Sequence, residues 1–197
     1  MIYDAEIDLY YDDRRHKYID GQTGAVLPSV TQIINILEPD KYGGIDADVL
    51  ARAAAYGNKI HAIVELMAAG DEAEAYATVN TPEELHAAEA ARKLLKEHIH
   101  GVVTSEKMIR NGNHYAGRYD LLTNNGALLI DIKTTSRLDR SALYWQLGLY
   151  AACFEVRPKT AVLWLPKRGK PTFEIMEAAT PEEVEALVFR YEINIAE

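Results

Sequence analysis

Residues 117–135 read GRYDLLTNNGALLIDIKTT. The Asn125-Gly126 dipeptide inside this stretch is a strong short-range hairpin signal, because both residue types tolerate the positive φ of a type I′ turn. With those two residues in the turn, Asn124 faces Ala127, Asp120 faces Asp131 and Arg118 faces Lys133. Alternation along a strand then gathers the four charged side chains on one face. Tyr119, Leu121, Ile130 and Ile132 fall on the other, an apolar face fit for a core. A three-residue loop would shift the register and put Asp120 opposite Ile130. Directly opposed residues have Cβ atoms about 4.5–5.5 Å apart, and like charges there destabilise the pair. Two facing carboxylates therefore need an offsetting charge, which makes the hairpin a candidate cation site.

Hard divalent cations such as Mg²⁺ take carboxylate, carbonyl and water oxygens, and paired carboxylates are a usual protein contribution where phosphates are processed. Lys133 follows Asp131 by two residues on the same face, about 6–7 Å along the strand. That reach suits a group acting on a water or a phosphate oxygen beside the cation. An isolated D-x-K is most often a surface ion pair. The second, opposed aspartate separates this pattern from that one.

The chain has 197 residues, 48% apolar and 26% charged, values ordinary for one globular domain with a real core. No apolar run approaches the roughly 20 residues of a membrane span. The beginning, MIYDAEIDLYYDDRR, is acidic and lacks a signal-like apolar region, so a cytoplasmic protein is expected. The lone Cys153 excludes an intramolecular disulfide and any four-cysteine metal centre. A net charge of −9 runs against a nucleic-acid partner, but the basic residues are unevenly placed. Arg137 and Arg140 follow the Asp-Lys strand, and Lys167, Arg168 and Lys170 crowd one loop.

Elsewhere the pattern predicts an N-terminal hairpin within residues 1–27, and a short helix from an N-cap at Ser29, boxed by Gln32, to about Leu37. A long alanine-rich helix or pair of helices covers residues 46–69, with His61 and Glu65 one turn apart on one face. A helix capped by Thr81, with Pro82 at its first position and Glu84 closing the box, runs to about His98. A strand is expected at 102–110 with Glu106 in its middle, a helix at 140–154 carrying Gln146 and Tyr150, strands at 160–166 and 172–176, and a last helix capped at Thr180. Helices interleaved with strands in this order argue an α/β layer fold with a mixed central sheet.

The ordered set of His61 in GNKIH, Glu106, Asp120 in GRYDLL, Asp131-Ile132-Lys133 in DIKTT, and Gln146 with Tyr150 in QLGLY resembles the PD-(D/E)XK nuclease superfamily, in its RecB-like branch of exonucleases, which includes phage-encoded members. The flanking LPSVTQI is similar too. The resemblance covers residues 57–150 and departs in lacking a proline before Asp120. It implies a restriction-endonuclease-like core over residues 46–197, with residues 1–45 as an N-terminal hairpin and short helix packed on it. It also implies that His61, Asp120, Asp131 and the Ile132 backbone carbonyl bind Mg²⁺ or Mn²⁺, and that Lys133 is catalytic. Gln146 and Tyr150 would orient Lys133 or the DNA backbone, while Glu106 and Glu65 would stand behind the ligands. Arg118, Arg137, Arg140, Lys167, Arg168 and Lys170 are candidates for binding DNA. Members with an iron–sulfur cluster need cysteines that this chain lacks.

The function expected from the sequence is a metal-dependent DNA nuclease, more an exonuclease than an endonuclease, hydrolysing phosphodiester bonds of linear DNA through a metal-activated water. A recombination or replication protein is a possible partner. The alternative is an inactive nuclease fold serving as a nucleic-acid or protein-binding module, whose signature would be loss of Asp120, Asp131 or Lys133. A purely acidic interaction domain would require the hairpin register and the helix-borne matches to be accidental.

Overall fold

The computed structural model describes all residues except Asp40, Tyr42, Val102, Asn124, Asn125 and Glu197. Near the N-terminus, β1 (Ile2–Asp4), β2 (Leu9–Asp12), β3 (Lys17–Asp20) and β4 (Val26–Leu27) form an antiparallel sheet in chain order. The expected hairpin is thus the middle of a four-stranded meander. Leu9, Tyr11, Tyr18 and Leu27 form its buried side. Helix α1 (Val30–Asn35) opens with the Ser29–Gln32 capping box. Asp46 caps α2 (Ala47–Ala69), which runs unbroken through Gly57 and ends at Gly70 with φ 93°. The short α3 (Glu72–Ala77) was not expected from the sequence. Helix α4 (Pro82–His98) is capped by Thr81 as expected, but the Glu84 carboxylate accepts from the Asn80 amide instead of the Thr81 amide.

Strands β5 (Val103–Ser105), β6 (Met108–Asn111), β7 (Tyr115–Arg118), β8 (Leu121–Thr123) and β9 (Leu128–Lys133) follow, then α5 (Arg140–Ala151), β10 (Lys159–Trp164), β11 (Thr172–Met176) and α6 (Pro181–Ala196). The central sheet has the order β11-β10-β9-β8-β5. Only β9 and β10 are parallel, and α5 supplies the crossover that parallel neighbours require. The sheet is sandwiched between two helical layers. Leu121, Ile130 and Ile132 pack against α2 and α4, whereas Leu129 packs against α1, α5 and α6. This is the mixed α/β architecture expected. Among the described residues no helix is long and apolar enough to cross a membrane.

Leu121 pairs with Ile130 and Leu122 with Leu129, the register that a two-residue turn dictates and a three-residue loop would not. The turn itself, at Asn124, Asn125 and Gly126, lies partly outside the described residues, as does Val102 of the expected 102–110 strand. Tyr119, expected on the face of Leu121, Ile130 and Ile132, packs instead in the cluster of Leu129, and two further features differ from the sequence expectation. Arg118 pairs with Met108 and not with Lys133, and the 102–110 strand breaks at Glu106 and Lys107. Both have one cause. The β5–β8 and β6–β7 pairings are a single antiparallel ladder, running from Val103↔Thr123 to Asn111↔Tyr115 without a change of register. It is held through the break by the Glu106 amide donating to the Asp120 carbonyl (3.1 Å) and the Tyr119 amide to the Lys107 carbonyl (3.3 Å). Glu106 has φ 51°, in the left-handed region. The kink it makes sends β5 and β8 into the central sheet and β6 and β7 away toward the N-terminal sheet, where Met108 and Ala116 join its core.

Candidate metal centre

The kink is where the chemistry collects. A non-glycine residue in the left-handed region costs on the order of 1–3 kcal/mol and persists only where the surroundings enforce it. Here the conformation puts Glu106 across the ladder from Asp120. Helix α2 brings His61 to the same place from one side of the sheet, with its Nδ1 3.3 Å from Asp120 Oδ1. Asp120 Oδ2 accepts from the Ile132 amide at 2.6 Å, which locks the carboxylate to β9. His61, Glu106 and Asp120 each offer one ligand atom, all within 4.8 Å of one another. Glu65, one turn along α2, accepts from Ser105 Oγ at 3.1 Å and borders the same space.

From the other side of the sheet α5 supplies Gln146, whose Oε1 accepts from Lys133 Nζ at 3.0 Å. The same ammonium lies 2.8 Å from Asp131 Oδ2, an ion-pair contact without hydrogen-bond geometry. Tyr150, one turn beyond Gln146, is buried with its ring against Gly117, where a Cβ would stand 2.7 Å from Cε1. Gly117 is therefore required by the close approach of that ring, a need that the sequence alone does not show. Asp131 and Ile132, expected among the metal ligands, stand outside the His61–Glu106–Asp120 group: Asp131 is turned to Lys133, and Ile132 offers Asp120 its amide.

The electrostatics follow from these partners. Burial disfavours the His61 cation, but the hydrogen bond and charge of Asp120 outweigh it and raise the imidazole pKa. Asp120 is also opposed by burial, yet His61 and Lys133 hold its carboxyl below the ordinary value. Asp131 goes the other way: burial, with the neighbouring Asp120 charge, pushes it up to about 6 against the pull of Lys133. Glu106 is raised by burial, with Arg118 opposing. Burial also raises the Tyr150 phenol well above its usual range, so it stays a neutral hydroxyl.

A cleft of about 510 Å³ lined by His61, Glu65, Glu106, Arg118 and Asp120 opens onto these carboxylates. One imidazole and two carboxylates are a donor set that suits Mg²⁺ or, because imidazole is softer, Mn²⁺. Of the expected DNA-binding residues only Arg118 lines this cleft, with its Nε 2.7 Å from Glu106 Oε2. Lys167 lies over the Tyr56 ring of α2 at 4.1 Å, and Arg140 pairs with Glu174 at 2.7 Å. Arg137, Arg168 and Lys170 are exposed.

No family model and no curated protein matches the chain. Solved structures do. The crystal structure of SSO0001 superposes with a TM-score of 0.52 at 15% identity, over 84% of this chain and 74% of that one. The crystal structure of a "Putative exonuclease" from Eubacterium rectale gives a TM-score of 0.46 at 11% identity, over 71% of this chain and 65% of that one. At such identities the likeness concerns the fold. The chain shares the α/β fold of SSO0001 and carries on it a histidine and two carboxylates placed to hold a metal ion.

Proposed function

We propose that this protein is a divalent-metal-dependent DNA nuclease. The observation that supports it best is the meeting, at one kinked ladder, of the His61–Glu106–Asp120 group with the Asp131–Lys133 pair. His61, Asp120 and Glu106 would hold Mg²⁺ or Mn²⁺, with Asp131 and the Ile132 carbonyl as further ligands. A divalent cation in such a site supplies Lewis-acid stabilisation of a phosphate and makes a water acidic enough to attack near neutral pH. Lys133 is the catalytic residue among the side chains: its ammonium donates to the attacking water or to a phosphate oxygen. Gln146 fixes the ammonium, and Tyr150 supports Gln146 from the next turn. Arg118, Arg137, Arg140, Lys167, Arg168 and Lys170 attract and orient the DNA backbone. The net charge of −9 includes the carboxylates that the cation would neutralise. The preference for exonuclease over endonuclease rests on the resemblance carried by residues 57–150.

The test is incubation of end-labelled linear DNA and covalently closed circular DNA with Mg²⁺, Mn²⁺ or EDTA. Linear DNA should be degraded with either metal and spared in EDTA. Equal cutting of closed circles would overturn the exonuclease part. Absence of cutting of any DNA with every divalent metal would replace the nuclease by a binding module.

A further inference from the structure

The cleft beside His61 adjoins a second cavity of about 350 Å³ under the N-terminal sheet, and the two share Ile2, Glu106 and Arg118. Arg118 stands at this junction. Its guanidinium pairs with Glu106, lies 5.5 Å from the centre of the Tyr11 ring, and its side chain remains 38% exposed. Tyr11 is itself fixed, 9% exposed, with its hydroxyl 2.9 Å from His16 Nδ1 and its ring against Tyr18. Glu106 therefore answers to two cations. Its carboxylate is held by a guanidinium and also belongs to the group placed to hold a metal ion. A divalent ion in that group would withdraw the acceptor and repel the guanidinium at once.

We propose that Arg118 is a phosphate-binding residue masked by Glu106 in the metal-free protein and released to substrate phosphate when a divalent cation takes Glu106. The proposal rests on the nuclease reading, since a nucleic-acid strand is what would bring the phosphate. A guanidinium presents a planar fork of donors that matches phosphate geometry. The Tyr11 ring holds that plane at the junction while it changes partner, so the N-terminal sheet becomes part of the site. Metal and phosphate then bind with positive coupling, because each favours the arrangement in which Glu106 and Arg118 are apart.

The experiment is calorimetric titration of Mn²⁺ into wild type, Arg118→Ala and Arg118→Gln. It is followed by fluorescence anisotropy of a nuclease-resistant phosphorothioate oligonucleotide, in Mn²⁺ and in EDTA. Loss of a half-exposed competing ion pair should tighten Mn²⁺ binding by roughly two- to fivefold in both variants. In Mn²⁺ the oligonucleotide should bind the variants about tenfold more weakly or worse, the loss expected of a charge-assisted hydrogen bond. In EDTA it should bind variants and wild type alike. Arg118→Gln keeps most of the side chain's packing, so agreement between the variants removes misfolding as the cause. Unchanged or weaker Mn²⁺ binding in both variants overturns the exchange, as does an equal oligonucleotide loss in EDTA. The nuclease reading fails separately, if wild type binds Mn²⁺ and cuts no DNA; the Mn²⁺ titrations still decide the exchange.

Discussion

Asp120 lies at the kink just before β8 and Asp131 on the neighbouring β9, and the protein treats these two identical side chains in opposite ways. Asp120 stands at the kink, with the His61 imidazole on one oxygen and the Ile132 amide on the other, and its carboxyl is held below the ordinary value. Asp131 is 3% exposed, its Oδ2 lies 2.8 Å from the Lys133 ammonium but has no hydrogen-bond partner among the described residues, and its carboxyl is raised to about 6. Burial opposes both charges. The difference lies in directed donors: a buried carboxylate with well-aimed N–H groups stays ionised, and one without them resists ionisation. The repulsion implied by facing aspartates is thus resolved on one partner only. Asp131 is left as the carboxylate with most to gain from a cation.

The largest effect should come from separating the Lys133 side of this contrast from the His61 side. Lys133→Ala should lower DNA cutting by about 10²–10⁴-fold, the range for losing a positioned proton-handling group. Its Mn²⁺ affinity, read by calorimetry, should stay near wild type, whereas Asp120→Asn should lose both metal and cutting. Collapse of Mn²⁺ binding in Lys133→Ala would merge the two sides into one. Gly117→Ala should cost up to about 3 kcal/mol, since the new methyl overlaps the Tyr150 ring that shares its surroundings with both aspartates. An unchanged denaturation midpoint would mean that the ring yields freely.

Smaller, and more pointed, is the stability of the two asparagine variants in EDTA. Asp120→Asn should destabilise by about 1–3 kcal/mol, because it takes a charged acceptor from His61 and from the Ile132 amide. Asp131→Asn should melt at or above wild type, because it removes a charge the fold resists. Equal losses would erase the contrast. The pH dependence has a definite sign. Asp131 has a folded pKa raised above its unfolded value, so its ionisation costs stability at pH 7 and the cost fades as pH falls through about 6 toward 4. In EDTA, lowering the pH from 7 to 5 should stabilise wild type relative to Asp131→Asn by about 1 kcal/mol. A difference of the opposite sign in paired melts would contradict the Asp131 assignment.

Much of this geometry was legible in the sequence, and what was missed has physical causes. The asparagine–glycine dipeptide set the β8–β9 register correctly, because turn length and side-chain alternation leave few options. Helix ends were readable where a cap was chemically explicit, as at Ser29 and Thr81. The short α3 was not, because its N-cap position, Asp71, makes no capping hydrogen bond. The break at Glu106 carried no sequence signal: left-handed φ normally announces itself as glycine or asparagine, and here a glutamate adopts it. That hidden kink moved Arg118 from Lys133 to Met108 and drew Glu106 level with His61 and Asp120. A residue that the resemblance set behind the metal ligands thus offers its carboxylate within 4.8 Å of the ligand atoms of His61 and Asp120.

Glu106 is accordingly the residue on which the account is most exposed. Calorimetric titration of Mn²⁺ into wild type and Glu106→Gln, with Asp131→Asn alongside, tests it most directly. The glutamine keeps the size of the side chain and removes its charge. If His61, Glu106 and Asp120 hold the cation, Glu106→Gln should weaken Mn²⁺ binding by at least about tenfold, a loss no smaller than outer-sphere substitutions cause at known metal sites. Wild-type affinity in Glu106→Gln, with binding abolished in Asp131→Asn, would place the metal on the Lys133 side of the ladder and contradict the centre described here.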